Sequence, residues 1–268
     1  MTIPTASTGE RRQPGLDEQR AAAGASSWLV EARQFVAAIS RMAAKDPGTR
    51  AALRSGVGKG LDDVPRMHRI VAPLLPGGVL RDVEGQRAFY TVAALIAAYH
   101  RHGAIDTGEQ PDPGEGYAAR LAAAAVGAGP EAGAGVPSQR AVWRAEAEHK
   151  RRERFGDSLG LAYAAAVARG SRQGIRESAA ETRLNLLCKQ STSGLHRHLP
   201  SAVRQLCDRN AALDWARLLV DLRTWPQQRR RVARWWLQDY YRARAAADLA
   251  GALTADDNSA APTTGPAA

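Results

Sequence analysis

The chain has 268 residues, 44% of them hydrophobic and 24% charged, enough to bury a core in one large domain or two small ones. No apolar run approaches the roughly 20 residues that span a bilayer, which excludes a helical integral membrane protein. Lys and Arg number 37 against 27 Asp and Glu, and the excess is segregated: positions 140–244 hold 22 basic and 10 acidic residues, net +12, while the remainder is net −2. One strongly basic block is the footprint expected of a surface that meets a polyanion.

Residues 1–25 are polar, rich in Gly, Pro, Thr and Ala, and read as a disordered lead-in. They lack the apolar segment of a signal peptide, so a reducing cytoplasm is the expected setting. Ser26 or Ser27 caps a first helix carrying Trp28, Val30, Phe35, Val36, Ile39 and Met42, which Asp46-Pro47-Gly48 ends. Pro47 opens a short helix through Leu53, followed by a Gly-punctuated loop, 56–60. Asp62 or Asp63 caps the next helix, with Pro65 in its first turn and Met67, Ile70, Val71 and Leu74 on one face. Pro76-Gly77-Gly78 stops it. A nearly uncharged helix over about 84–101, with Phe89, Val92, Ala93, Ile96 and Tyr99 at helical spacing, is the expected central core helix. Residues 26–102 therefore form an N-terminal helical lobe, and 103–139, rich in Gly, Ala and Pro, a low-complexity insertion.

A basic C-terminal lobe over 140–247 follows, with helices expected at about 139–154, 157–169 (capped by Asp157 or Ser158), 177–189, 193–208, 211–222 and 227–247. Residues 248–268 read as a disordered tail. Strand signals are nearly absent, so the expected fold is an all-α helical bundle of two small lobes.

Catalysis finds little support. There is no Gly-rich phosphate loop, nucleophile elbow or His-Glu-x-x-His, and neither a cofactor nor a metal is expected. Cys188 and Cys207 are too few for a disulfide scaffold and read as small core residues. His196 and His198 stand two apart, so on a helix they point about 200° away from each other and cannot share one ion.

The last helix is the most informative. Thr224-Trp225-Pro226 reads as its start, Thr as cap and Pro at the first position. At 100° per residue Arg230, Arg231, Arg234 and Arg242 fall within an arc of ~120°. Val232, Trp236, Tyr240 and Ala243 fall opposite, a stripe to be buried. Such a helix can dock on a core while its guanidinium groups meet phosphates. Trp215 and Trp236 are assigned to the core, whereas Trp235, beside the arginine arc, stays open between packing and base stacking.

Several collinear segments resemble one family. They are Gly60-Leu61-Asp62-Asp63-Val64-Pro65 through Val71, Ser158-Leu159-Gly160-Leu161-Ala162, Glu181-Thr182-Arg183-Leu184-Asn185-Leu186-Leu187, the helix His198–Leu206, and Leu213-Asp214-Trp215 followed by Trp225 and Arg229–Arg231. In order and spacing they resemble the small subunit (CasB) of the type I-E CRISPR surveillance complex, Cascade, over roughly 27–102 and 140–242. The resemblance implies a non-enzymatic, two-lobed helical protein whose copies associate head to tail against other Cascade subunits. It also implies basic grooves that hold the crRNA–target DNA duplex and the displaced strand of the R-loop, with cleavage left to a separate nuclease. Carried across position by position, the candidate nucleic-acid-binding residues are Arg54, Lys59, Arg183, Lys189, Arg197, Arg204, Arg229, Arg230, Arg231 and Arg234. Gly160 and Trp215 read as packing positions.

Two other readings compete. A stand-alone helix-turn-helix DNA-binding regulator would use the 177–208 pair, with Gln190–Gly194 as its turn, but Pro200 falls inside the would-be recognition helix. A scaffold without nucleic-acid contact leaves the charge segregation unexplained.

Overall fold

A computed structural model describes residues 16–99 and 155–259. Their helices are α1 (Leu16–Lys45), α2 (Pro47–Arg54), α3 (Pro65–Val71), α4 (Val83–Tyr99), α5 (Leu159–Ala168), α6 (Gly170–Gln173), α7 (Glu177–Cys188), α8 (Thr192–Asp208) and α9 (Trp215–Ser259), with single 3-10 turns at Ala72–Leu74 and Gly77–Val79. Among the described residues there is no strand, and the architecture is an all-α bundle. The insertion 103–139 and the expected helix 139–154, with its Arg151, Arg152 and Arg154, lie outside the described residues.

Several boundaries differ from those expected, each for a local reason. α1 begins at Leu16, ahead of Ser26, because Leu, Glu, Gln, Arg and an Ala triplet there are strong helix formers. α9 continues past 247 to Ser259, into the segment expected to be disordered, through a Leu- and Ala-containing stretch at 249–255. α3 has Val64 as N-cap and no side-chain cap bond, so neither Asp62 nor Asp63 caps it: both lie before Val64, whose apolar side chain offers no acceptor. Asp46 does cap α2, accepting from Gly48 N at 2.9 Å and Thr49 N at 3.0 Å, and Ser158 caps α5.

α1 buries Leu29, Ala32, Phe35, Ile39 and Ala43, an i, i+3, i+4 stripe that leaves Val30 and Met42 exposed on the flanks. That stripe meets α4, where Phe35 and Phe89 pack edge to face at 4.8 Å. From Val92 to Ala97 every residue of α4 is buried, because α1, α2, α3, α8 and α9 pack around it. The core residues of 29–97 and 159–240 form one continuous cluster.

The stretch 215–259 is two helical arms, not one rod. Gln228 leaves helical geometry at φ −129°, ψ 32°, and Trp236 Nε1 donates to Asp221 Oδ2 at 2.6 Å. Fifteen residues along a straight α-helix would be ~22 Å apart, so the second arm folds back on the first. The break falls at Gln228 and not at Thr224, whose hydroxyl donates to Val220 O within the first arm instead of capping the second. The first arm begins at Trp215, later than the expected Ala211, because the Asp214 carboxylate accepts from Arg217 N at 2.8 Å and sets the start there.

α5 is built of small residues so that it can lie against the second arm. A Cβ at Gly160 would run into the backbone of Trp236, so glycine permits this approach, in line with its reading as a packing position. Trp225 and Trp236 are fully buried, and Trp215 nearly so, each contributing about 1.5–3 kcal/mol or more through burial.

Candidate nucleic-acid interface

α7 and the second arm of α9 run antiparallel. Arg244 reaches Glu177 at 3.0 Å at one end, Cys188 Sγ lies 3.7 Å from Ala233 O further along, and Arg229 donates to Gln190 O at 3.4 Å at the other end. The apolar stripe of the second arm, Val232, Trp236 and Tyr240, is fully buried as its spacing predicts, and Ala243 is half-buried. This turns the neighbouring face of the arm towards α7.

The seam opens into a shallow groove of about 670 Å³. Lys189, Arg229, Arg230, Arg234 and Arg242 stand around it, and Ala233, Leu237 and Tyr241 supply apolar surface between them, with Asn185 and Gln238 as polar neighbours. Lys189, Arg229, Arg230, Arg234 and Arg242 are exposed, and among the described residues no carboxylate lies within ion-pair distance of them. Burial pushes the Cys188 thiol up to about 12, so it is a neutral wall residue here and no nucleophile.

Four of the ten candidates thus converge: Lys189, Arg229, Arg230 and Arg234. Arg183 points elsewhere. With Arg176, Thr182 and Gln205 it borders a second hollow of about 500 Å³ between α7 and α8. Arg197 and Arg204 are exposed on α8, seven residues apart on one face, and Arg204 is paired with Asp208 at 3.5 Å. Arg54 ends α2 and Lys59 lies in the loop after it, both exposed and outside both hollows.

Arg231 belongs to the opposite shoulder of the arm. Its guanidinium carbon lies 4.6 Å from the centre of the Trp235 ring, whose environment also includes the Arg217 guanidinium at 5.5 Å. Trp235 is accordingly half-buried between two cations, neither a full core residue nor an open stacking face.

Sequence reasoning left Tyr241, Gln238, Asn185 and Arg242 out of the site. Arg242 was visible as the outlying member of the arginine arc, eight residues beyond Arg234. Asn185 and Tyr241 carried no such signal, because only the pairing of α7 with the second arm brings them together.

His196 and His198 also occupy different surroundings: His198 is half-buried. His196 is buried with Nδ1 2.8 Å from Thr91 Oγ1, and burial, aided by nearby Arg87, lowers its pKa to about 4. Among the described residues no three His, Cys, Asp or Glu cluster as metal ligands, and no helix is long and apolar enough to cross a membrane.

Residues 49–241 match the model of the family "CRISPR-associated protein Cse2". The chain belongs to the Cse2 family. This is the small-subunit family that the collinear segments imply. A chain in a solved "CRISPR RNA-guided surveillance complex, pre-nicking" is 32% identical to this Cse2-family chain, with 81% of this chain and 95% of that chain covered and a TM-score of 0.55. A chain of a second "CRISPR RNA-guided surveillance complex" is 31% identical over the same shares, also at 0.55. No curated protein matches significantly. In this Cse2-family chain the matched region runs from within α2 to Tyr241 in the second arm of α9, and so takes in the whole groove bar Arg242.

Proposed function

We propose that this Cse2-family chain is a non-catalytic small subunit of a type I-E CRISPR surveillance complex, working in the cytoplasm beside the other Cascade subunits. In this reading copies associate head to tail, and their basic surfaces hold crRNA, target DNA and the displaced strand of the R-loop. The observation that carries it is the groove between α7 and the second arm: five exposed cations around an apolar floor, free of ion-pairing carboxylates among the described residues.

Cations on fixed helices contact phosphates irrespective of sequence, so the groove stabilises a strand without reading it. Sequence reading is left to base pairing. Exchange of a DNA duplex for an RNA–DNA heteroduplex plus a free strand is nearly balanced in energy, so a few backbone contacts suffice to tip it. Arg183, Arg197, Arg204, Arg54 and Lys59, on other faces, extend the basic surface beyond one groove.

The test is R-loop formation by a reconstituted complex carrying wild-type or R229A/R230A chain, followed by permanganate reactivity of the displaced strand. The variant is expected to open the same target less at 150 mM salt, roughly tenfold, and to regain ground at low salt. Equal opening at every salt concentration overturns the reading. A sequence-specific footprint of the isolated chain on duplex DNA would favour the regulator instead.

A further inference from the structure

The groove depends on where the second arm of α9 stands, and the backbone at the bend does not decide that. Pro226 has no N–H to donate to Leu222 O, and Gln228 departs from helical geometry two residues later. A helix interrupted in this way can take a range of angles. Something outside the backbone must therefore select one.

A buried polar cluster ties the two arms together across that bend. On the first arm, Arg217 Nε donates to Asp221 Oδ1 at 2.8 Å, with both side chains almost fully buried. Arg217 Nη1 also donates to Phe155 O at 2.7 Å, which anchors the pair to the segment leading into α5. The second carboxylate oxygen, Asp221 Oδ2, takes the indole N–H of Trp236 from the second arm at 2.6 Å. Next to it, Trp235 lies within reach of the Arg217 guanidinium on one arm and the Arg231 guanidinium on the other. The Trp225 and Trp236 rings pack 5.2 Å apart across the same bend.

We propose that Asp221, with Arg217 and Trp236, is a positioning clamp that fixes the angle of the second arm of α9 and so holds Arg229, Arg230 and Arg234 opposite Lys189. Asp221 touches no ligand; it acts through the arm. One carboxylate binding one donor from each arm is a two-point restraint, and a buried charge held this way tolerates few alternative geometries. The proposal deepens the nucleic-acid reading of the groove and rests on it for its consequence, though not for the clamp itself.

Two measurements on the full-length chain separate these parts. The first is the distance between spin labels at exposed Ser201 on α8 and exposed Ala246 on the second arm, in a background with Cys188→Ala and Cys207→Ala. The second is affinity for a fluorescent twenty-nucleotide oligo-dT by anisotropy. D221N keeps the shape and removes the charge, and W236F removes the indole N–H, so if one fails to fold the other still decides. Either is expected to shift or broaden the distance distribution in the absence of DNA and to weaken oligo-dT binding about five- to tenfold. R230A/R234A, which keeps the hydrogen bond from Arg229 to Gln190 O, is expected to weaken binding with the distance unchanged. An unaltered distance in the folded variants overturns the clamp. A shifted distance with wild-type affinity overturns its positioning role, and failure of the wild type to bind oligo-dT overturns the groove reading while the distance still judges the clamp.

Discussion

His196 shows how a single side chain couples the two halves of the chain to pH. It stands on α8 but bonds Thr91 of α4, and its Nε2 is buried without a partner. Burial first, and Arg87 second, lower its pKa to about 4 from 6.5. The neutral ring therefore fits the folded state, while the unfolded chain takes up the proton at higher pH. Stability from this group is fully present above pH 6.5 and is lost as pH falls towards 4, about 3 kcal/mol in all. Urea melts between pH 7.5 and 4 are expected to show the wild type losing that much more than H196N, which presents an oxygen to Thr91 but does not titrate. Parallel pH slopes would remove His196 from the account. The residue pattern around it had suggested only that His196 and His198 cannot share an ion; the hydrogen bond to Thr91 needed α4 and α8 side by side.

Among the described elements, α5 and the second arm of α9 approach each other closely at Gly160. Gly160 lies against the backbone of Trp236, not against a flexible side chain that could yield. G160A is expected to push the helices apart and cost about 1–3 kcal/mol, read as a fall of several degrees in Tm. An unchanged Tm would mean that the contact relaxes freely. Since the same arm carries the groove cations, the variant is also expected to weaken oligo-dT binding, more than an equally destabilising change in α1 such as Ile39→Val. The arms of α9 illustrate a limit of local reading. Pro226 announced a break, but Thr224 bonds back into the first arm and the chain leaves the helix only at Gln228. Whether a Pro opens the next helix or closes the last depends on which turn packs, and here the burial of Trp225 keeps the first arm going.

At the scale of the molecule, the cations of the described residues form several patches and not one. Lys189, Arg229, Arg230, Arg234 and Arg242 share a groove, Arg183 faces a different hollow, and Arg54 and Lys59 end α2 and follow it. Salt titrations of oligo-dT binding are expected to lose about 0.7 from the log–log slope for each phosphate contact removed. R229A/R230A and R54A/K59A are expected to act independently, so that the quadruple variant shows the sum of their effects. A quadruple variant no weaker than either pair would make the patches one surface.

By itself the sequence determined what is local or summed. Apolar spacing marked the helices, Pro47 and the Asp157-Ser158 pair marked two of their starts, and the charge imbalance marked the C-terminal half as the basic one. Its collinear segments were specific enough to imply the Cse2 family, with Gly160 as a packing position, and Trp215 and Trp236 were legible as core because large aromatics at helical spacing argue for burial. Only the tertiary structure decided which cations meet. Helical phase places Arg230 and Arg234 on one side of an arm, but Arg229 falls at the phase of the apolar stripe, and the nearness of these cations to Lys189 and Asn185 follows from α7 lying antiparallel to that arm. That pairing depends on a fold-back at Gln228 and on a buried carboxylate joining residues fifteen apart. Periodicity acts over a few residues, whereas the angle between two helices is selected by packing and hydrogen bonds between distant ones.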